Sequence, residues 1–124
     1  MKSLNEINAL PISTSQKDLK DRVDFIFDIL VQGENESSSE FAQAFSGVIG
    51  YQSYAGALPI ESESKLLSWI KETYIEEKGY IESVISIYCM MSEEVAKNEL
   101  DNMLLSTNKD WVKILVQEAL NEFE

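Results

Sequence analysis

Apolar residues recur at three- and four-residue spacing along most of this chain, and that spacing restricts the fold more than any other feature. Leu19, Val23, Ile26, Phe27 and Leu30 fall on one stripe of a helix expected from about Ser15 to Gln32. Asp21, Asp24 and Asp28 lie off the stripe, toward water. Ser15 is placed to cap the helix, with Asp18 three positions on, and Gly33 is placed to stop it. A second helix is expected from Ser38 or Ser39 through Phe41, Ala42, Phe45, Val48 and Ile49. A third is expected from about Ser62 to Lys78, with Leu66, Leu67, Ile70 and Tyr74 facing inward and Gly79 ending it.

The stretch from Tyr80 to Met91 is apolar on most sides, which predicts a fourth helix in the middle of the fold. Its Ile and Val content also suits a buried strand, but its length and its helical neighbours favour helix. Ser92 opens a fifth helix, with Val95, Ala96, Leu100, Met103 and Leu104 on one face. Glu93 and Glu94 complement its positive N-terminal dipole. A sixth is expected after Thr107 or Asn108, with Val112, Leu115, Val116, Ala119 and Phe123 inward, and Trp111, Ile114 and Leu120 widening that face. Neither proline, Pro11 or Pro59, falls inside any of the six. The expectation is therefore an all-α chain of about six helices, packed as antiparallel hairpins in an α-solenoid-like stack.

A length of 124 residues suits one domain, 1–124, with residues 1–14 as an extended lead-in across the core. The first residues contain no apolar run of signal-peptide length, and the apolar run from Ile81 to Met91 is too short to cross a bilayer. The one cysteine, Cys89, cannot form an internal disulfide and reads as a small buried hydrophobe. Together these predict a cytoplasmic protein.

Charge narrows function. The chain carries 22 Asp+Glu against 10 Lys+Arg, a net charge of −12, and no histidine. From Val23 to Ser64 there is no base at all. That charge exceeds the ~2–8 that solubility asks of a small domain. A field of this sign repels nucleic acid and anionic membrane, and draws in basic protein surfaces. Without histidine there is no Ser-His-Asp triad, no Cys-His pair and no histidine metal site. One cysteine cannot build a thiolate zinc site, and no glycine-rich phosphate loop is present. No enzyme, cofactor or metal is expected.

The candidate contact residues are therefore carboxylates on a rigid frame. Glu61 and Glu63 precede or open the third helix, and Glu72, Glu76 and Glu77 lie along it, Glu72 and Glu76 being one turn apart on one face. Trp69 sits one position off the inward stripe, where it serves either as an interface anchor or as the edge of the core. Tyr51 and Tyr54, in a loop ending at Pro59, either form a second candidate surface or seal the edge of the core.

Two stretches carry a resemblance. Asp110-Trp-Val-Lys-Ile-Leu-Val-Gln-Glu-Ala-Leu resembles the second helix of a HEAT-like repeat. Leu66-Leu-Ser-Trp-Ile-Lys-Glu-Thr-Tyr, followed by Tyr80-Ile-Glu-Ser-Val-Ile-Ser-Ile-Tyr, resembles the small all-helical immunity proteins of bacterial polymorphic-toxin and contact-dependent growth inhibition systems. That resemblance implies a non-enzymatic cytosolic inhibitor of a co-encoded toxin, and the acidity suggests a toxin with a basic groove, such as a nuclease. The alternatives are an inhibitor that mimics nucleic acid toward DNA-binding proteins, or a helical adaptor whose acidity serves solubility.

Overall fold

The computed structural model describes residues 16–31, 38–50 and 60–123. These residues are all-α. Six helices follow in order: α1 (Gln16–Val31), α2 (Ser38–Gly50), α3 (Ile60–Thr73), α4 (Lys78–Cys89), α5 (Glu93–Ser106) and α6 (Asp110–Asn121). The expected lead-in, the Ser15 and Gly33 caps, and the loop bearing Tyr51 and Tyr54 lie outside the described residues.

The helix that is apolar on nearly every side takes the centre. α4 packs on α2 over the most extensive interface in the fold, and it also touches α5 and α6. Tyr80, Ile81, Val84 and Ile87 are each fully buried there. Gly79, expected as a helix breaker, instead lies in the first turn of α4. A Cβ at that position would meet Ser39 Oγ and Gln43 Nε2 of α2 at 3.0 Å. Its bare backbone is what lets α2 come so close. α5 and α6 pair as a short-turned hairpin, and α1 lies across α2 and α3.

Burial turns the α1 stripe slightly from the expected one. Leu19, Val23, Ile26 and Ile29 are buried, while Phe27 and Leu30 are only partly covered. Those two side chains open onto the surface between α1 and α3.

α3 ends at Thr73, a turn earlier than expected, and side chains explain where it stops. The last carbonyls of a helix have no partner within the helix. Of these, the Ile70 carbonyl accepts the buried Tyr80 hydroxyl of α4 at 3.2 Å, while the Thr73 hydroxyl bonds back to Trp69 O at 2.9 Å. Residues 74–77 then cross to α4 outside any helix, and Tyr74, expected inside, is 37% exposed. The start of α6 also differs: Lys109 holds the N-cap position rather than Thr107 or Asn108. Thr107 caps the end of α5 instead, and its hydroxyl accepts the Lys109 amide at 3.2 Å.

Candidate functional site

Trp69 belongs to the core. It is 7% exposed, and its ring stands edge-on to Phe45 of α2 at 5.1 Å and tilted against Tyr80 of α4 at 6.2 Å. Phe27 of α1 continues the series, 4.8 Å from Phe45. The series of rings thus links four helices, with Trp69 of α3 in contact with rings of α2 and α4. Trp111, expected to widen the buried face of α6, goes the other way and is 36% exposed beside Ile114 at 59%.

The five carboxylates proposed from the sequence do not form one ridge. Glu61, in the first turn of α3, lies 3.8 Å from Lys20 of α1. Lys20 also binds Asp24 at 2.9 Å, and Lys65 binds the other Asp24 oxygen at 3.0 Å. This cluster neutralises much of the acidity where α1 meets α3. Burial pushes the Asp24 carboxyl up, but the hydrogen bonds from Lys20 and Lys65 outweigh it and hold it below its ordinary value. The same hydrogen bond raises Lys20.

Glu72 and Glu76 do not share a helix face, because α3 has ended before Glu76. The Glu76 carboxylate is half-buried and turned toward the α5–α6 turn. It accepts the hydroxyl of Thr107 and, at 3.3 Å, that of Tyr74. Burial, then the charge of Glu76, push Tyr74 up to about 12. Glu76 is thus a brace between the α3–α4 crossing and the α5–α6 hairpin. Its partner lies 31 residues along the chain, so no local pattern reveals it.

Glu77 occupies the N-cap position of α4, where its charge meets the positive helix end. Glu72 lines an open groove of about 640 Å³ between α1 and α3, with Phe27, Leu30 and Trp69 on its walls. Glu63 is partly covered. Among the described residues Glu63, Glu72 and Glu77 have no ion-pair partner. A second groove, between α4 and α6, is lined in part by Glu82, Glu118 and Glu122. These residues are not among those proposed from the sequence: Glu118 and Glu122 are four apart at the end of α6, but nothing in that spacing shows that α4 lies alongside.

The described residues contain no cluster of three carboxylate or cysteine side chains able to hold a metal ion. No described helix is long and apolar enough to cross a membrane. Cys89 is half-covered, and burial, followed by the charge of Glu122, raises its thiol, which disfavours the nucleophilic thiolate. What the surface offers chemically is carboxylate pairing beside apolar grooves. Comparison with protein-family models, curated proteins and solved structures finds no match to this chain.

Proposed function

We propose that this chain is an immunity protein: a cytoplasmic, non-enzymatic binder that neutralises one cationic toxin domain, such as a nuclease, by covering its basic groove. The observation that carries this reading is the surplus of exposed carboxylates, Glu72 and Glu77 among them, that no lysine or arginine answers among the described residues, in a chain of net charge −12. Such a surface steers a basic partner into contact from a distance and speeds association. Speed suits an inhibitor whose target is lethal while free.

A nucleic-acid mimic has weaker support. A decoy needs carboxylates in rows that follow a duplex backbone. Along α3 the row is interrupted by Lys65 and Lys71, and Glu61 is matched by Lys20.

The test is growth rescue. The toxin domain encoded beside this chain's gene is expressed in a bacterial host with and without the chain, and binding is measured at low and high salt. Rescue, with affinity that falls steeply as salt rises, is expected. Glu72→Lys with Glu77→Lys should slow association and flatten the salt dependence. No rescue, or affinity indifferent to salt, contradicts the reading.

A further inference from the structure

The groove between α4 and α6 differs from the groove between α1 and α3 in how its charge is arranged. Lys78, at the start of α4, borders the same hollow as Trp111 and Ile114, at the start of α6. Cys89 and Met90, at the end of α4, border the groove with Glu118 and Glu122, at the end of α6. The two helices therefore run side by side in the same sense, and their C-terminal ends come together. Each helix carries a partial negative charge at that end. No base occupies the last turn of either helix to offset it. Glu118 and Glu122 add two carboxylates about 6 Å apart along the axis, and Glu82, one turn into α4, lines the same groove farther from that end. Lys97 lies 6.0 Å over the ring of Phe123, next in sequence to Glu122, and Lys78, 3.9 Å from Glu82 near the start of α4, has a side chain 82% exposed. A surface pair of that kind contributes little.

Carboxylates gathered at helix C-termini are unfavourable unless a base answers them. The shape of the groove indicates its use. The floor is apolar, through Ile85, Met90 and Leu115, with a volume of about 460 Å³. At Leu115 it continues into a hollow of about 490 Å³ beneath Trp111 and Ile114. Exposed tryptophan on a rigid helix is the usual anchor of an interface. The trough is thus apolar at one end and negative at the other, and two parallel helices wall it over about 18 Å.

We propose that this groove seats one cationic amphipathic helix of the partner protein, with apolar side chains against Trp111 and Ile114 and Lys or Arg side chains among Glu82, Glu118 and Glu122. The proposal rests on the reading that the partner is cationic. It adds which surface is used and in what form the partner enters. Charge complementarity selects this occupant. A second copy of the chain would bring −12 against −12 and set carboxylates against carboxylates. A helix laid in a groove between two helices is an established mode of peptide capture, read through apolar anchors at helical spacing.

The test uses three probes on the full chain: a peptide of about 14 residues of Leu and Lys at amphipathic helical spacing, roughly 21 Å as a helix; a permuted isomer of it without the period; and polylysine. Binding is followed by the fluorescence of Trp111 and by anisotropy of labelled peptide. The amphipathic peptide should bind about tenfold or more tighter than its isomer, a difference of roughly 1.4 kcal/mol. Glu118→Lys with Glu122→Lys should abolish that preference, and the milder Glu118→Gln with Glu122→Gln should reduce it with helicity unchanged. Glu72→Lys, on the groove between α1 and α3, should leave it unchanged. Equal binding of the two isomers, or indifference to the Glu118 and Glu122 variants, overturns the groove and leaves the acidic-surface reading standing. Failure of polylysine and both peptides to bind at low salt overturns both.

Discussion

The two grooves have apolar walls of similar kind and opposite electrical surroundings. Between α1 and α3, lysines and carboxylates answer one another: Lys20 and Lys65 converge on Asp24, Lys20 reaches Glu61, and Lys65 also lies 5.7 Å over the Phe27 ring. Between α4 and α6, carboxylates gather with two helix C-termini, and the one lysine bordering that surface stands at its far end. The difference lies in the groove linings and not in the helices' totals: Lys65 lines the first groove together with Glu72, whereas Glu82, Glu118 and Glu122 line the second with no base among them. Net charge describes the chain, but the field at a surface depends on which charges the helices place opposite one another.

The two tryptophans give the widest separation between these regions. Trp69→Ala should remove a ring that touches α2 and α4 and cost about 3–5 kcal/mol in urea unfolding. Trp111→Ala should cost well under that, about 1 kcal/mol or less, because the ring is over a third exposed. Equal losses would erase the distinction between a core tryptophan and a surface anchor.

The glutamates separate next. Glu76→Ala should cost about 1–3 kcal/mol through the lost hydrogen bonds of Thr107 and Tyr74. Glu72→Ala should stay within about 0.5 kcal/mol. A double-mutant cycle of Glu76 with Thr107 checks the brace directly, since additive losses would mean that the two side chains do not interact.

Alkali probes the same brace. Tyr74, Tyr80 and Tyr88 are all raised, chiefly by burial, Tyr74 to about 12. A raised folded value means that the stability these groups contribute is complete below the ordinary value of 10.0 and is lost as pH rises through the folded one. Unfolding free energy should accordingly fall between about pH 10 and 12, with tyrosinate absorbance lagging behind that of the unfolded chain.

Acid has the smallest effect. Asp24 is lowered, so its contribution is complete above 3.8 and is lost as pH falls through its folded value. Asp24→Asn should therefore remove a small part of the acid sensitivity below about pH 4 without altering the α4–α6 groove.

How much of this was legible in the sequence follows from what each feature depends on. Periodicity located the described helices, and the all-round apolarity of Tyr80 to Met91 placed α4 at the centre. Both signals are local. The features that position the candidate surfaces are not. α3 stops where a tyrosine from the next helix takes its carbonyl, and Glu76 leaves the surface because a threonine on a distant turn claims it. Trp69, off the stripe, is buried because Phe45 covers it, while Trp111, at the edge of its stripe, is bare because no described helix lies over it. The acidic groove needed knowledge that α4 and α6 run in the same sense, which no spacing within either helix contains.

The most direct test is a nuclear magnetic resonance titration of the labelled chain with the cationic toxin domain proposed as its partner. Shifts should concentrate at the Trp111 indole and the amides of Glu118 and Glu122, while the Trp69 indole stays in place. Shifts spread over α1 and α3 with the α4–α6 groove silent, or no interaction at low salt, would contradict a cationic helix seated in that trough.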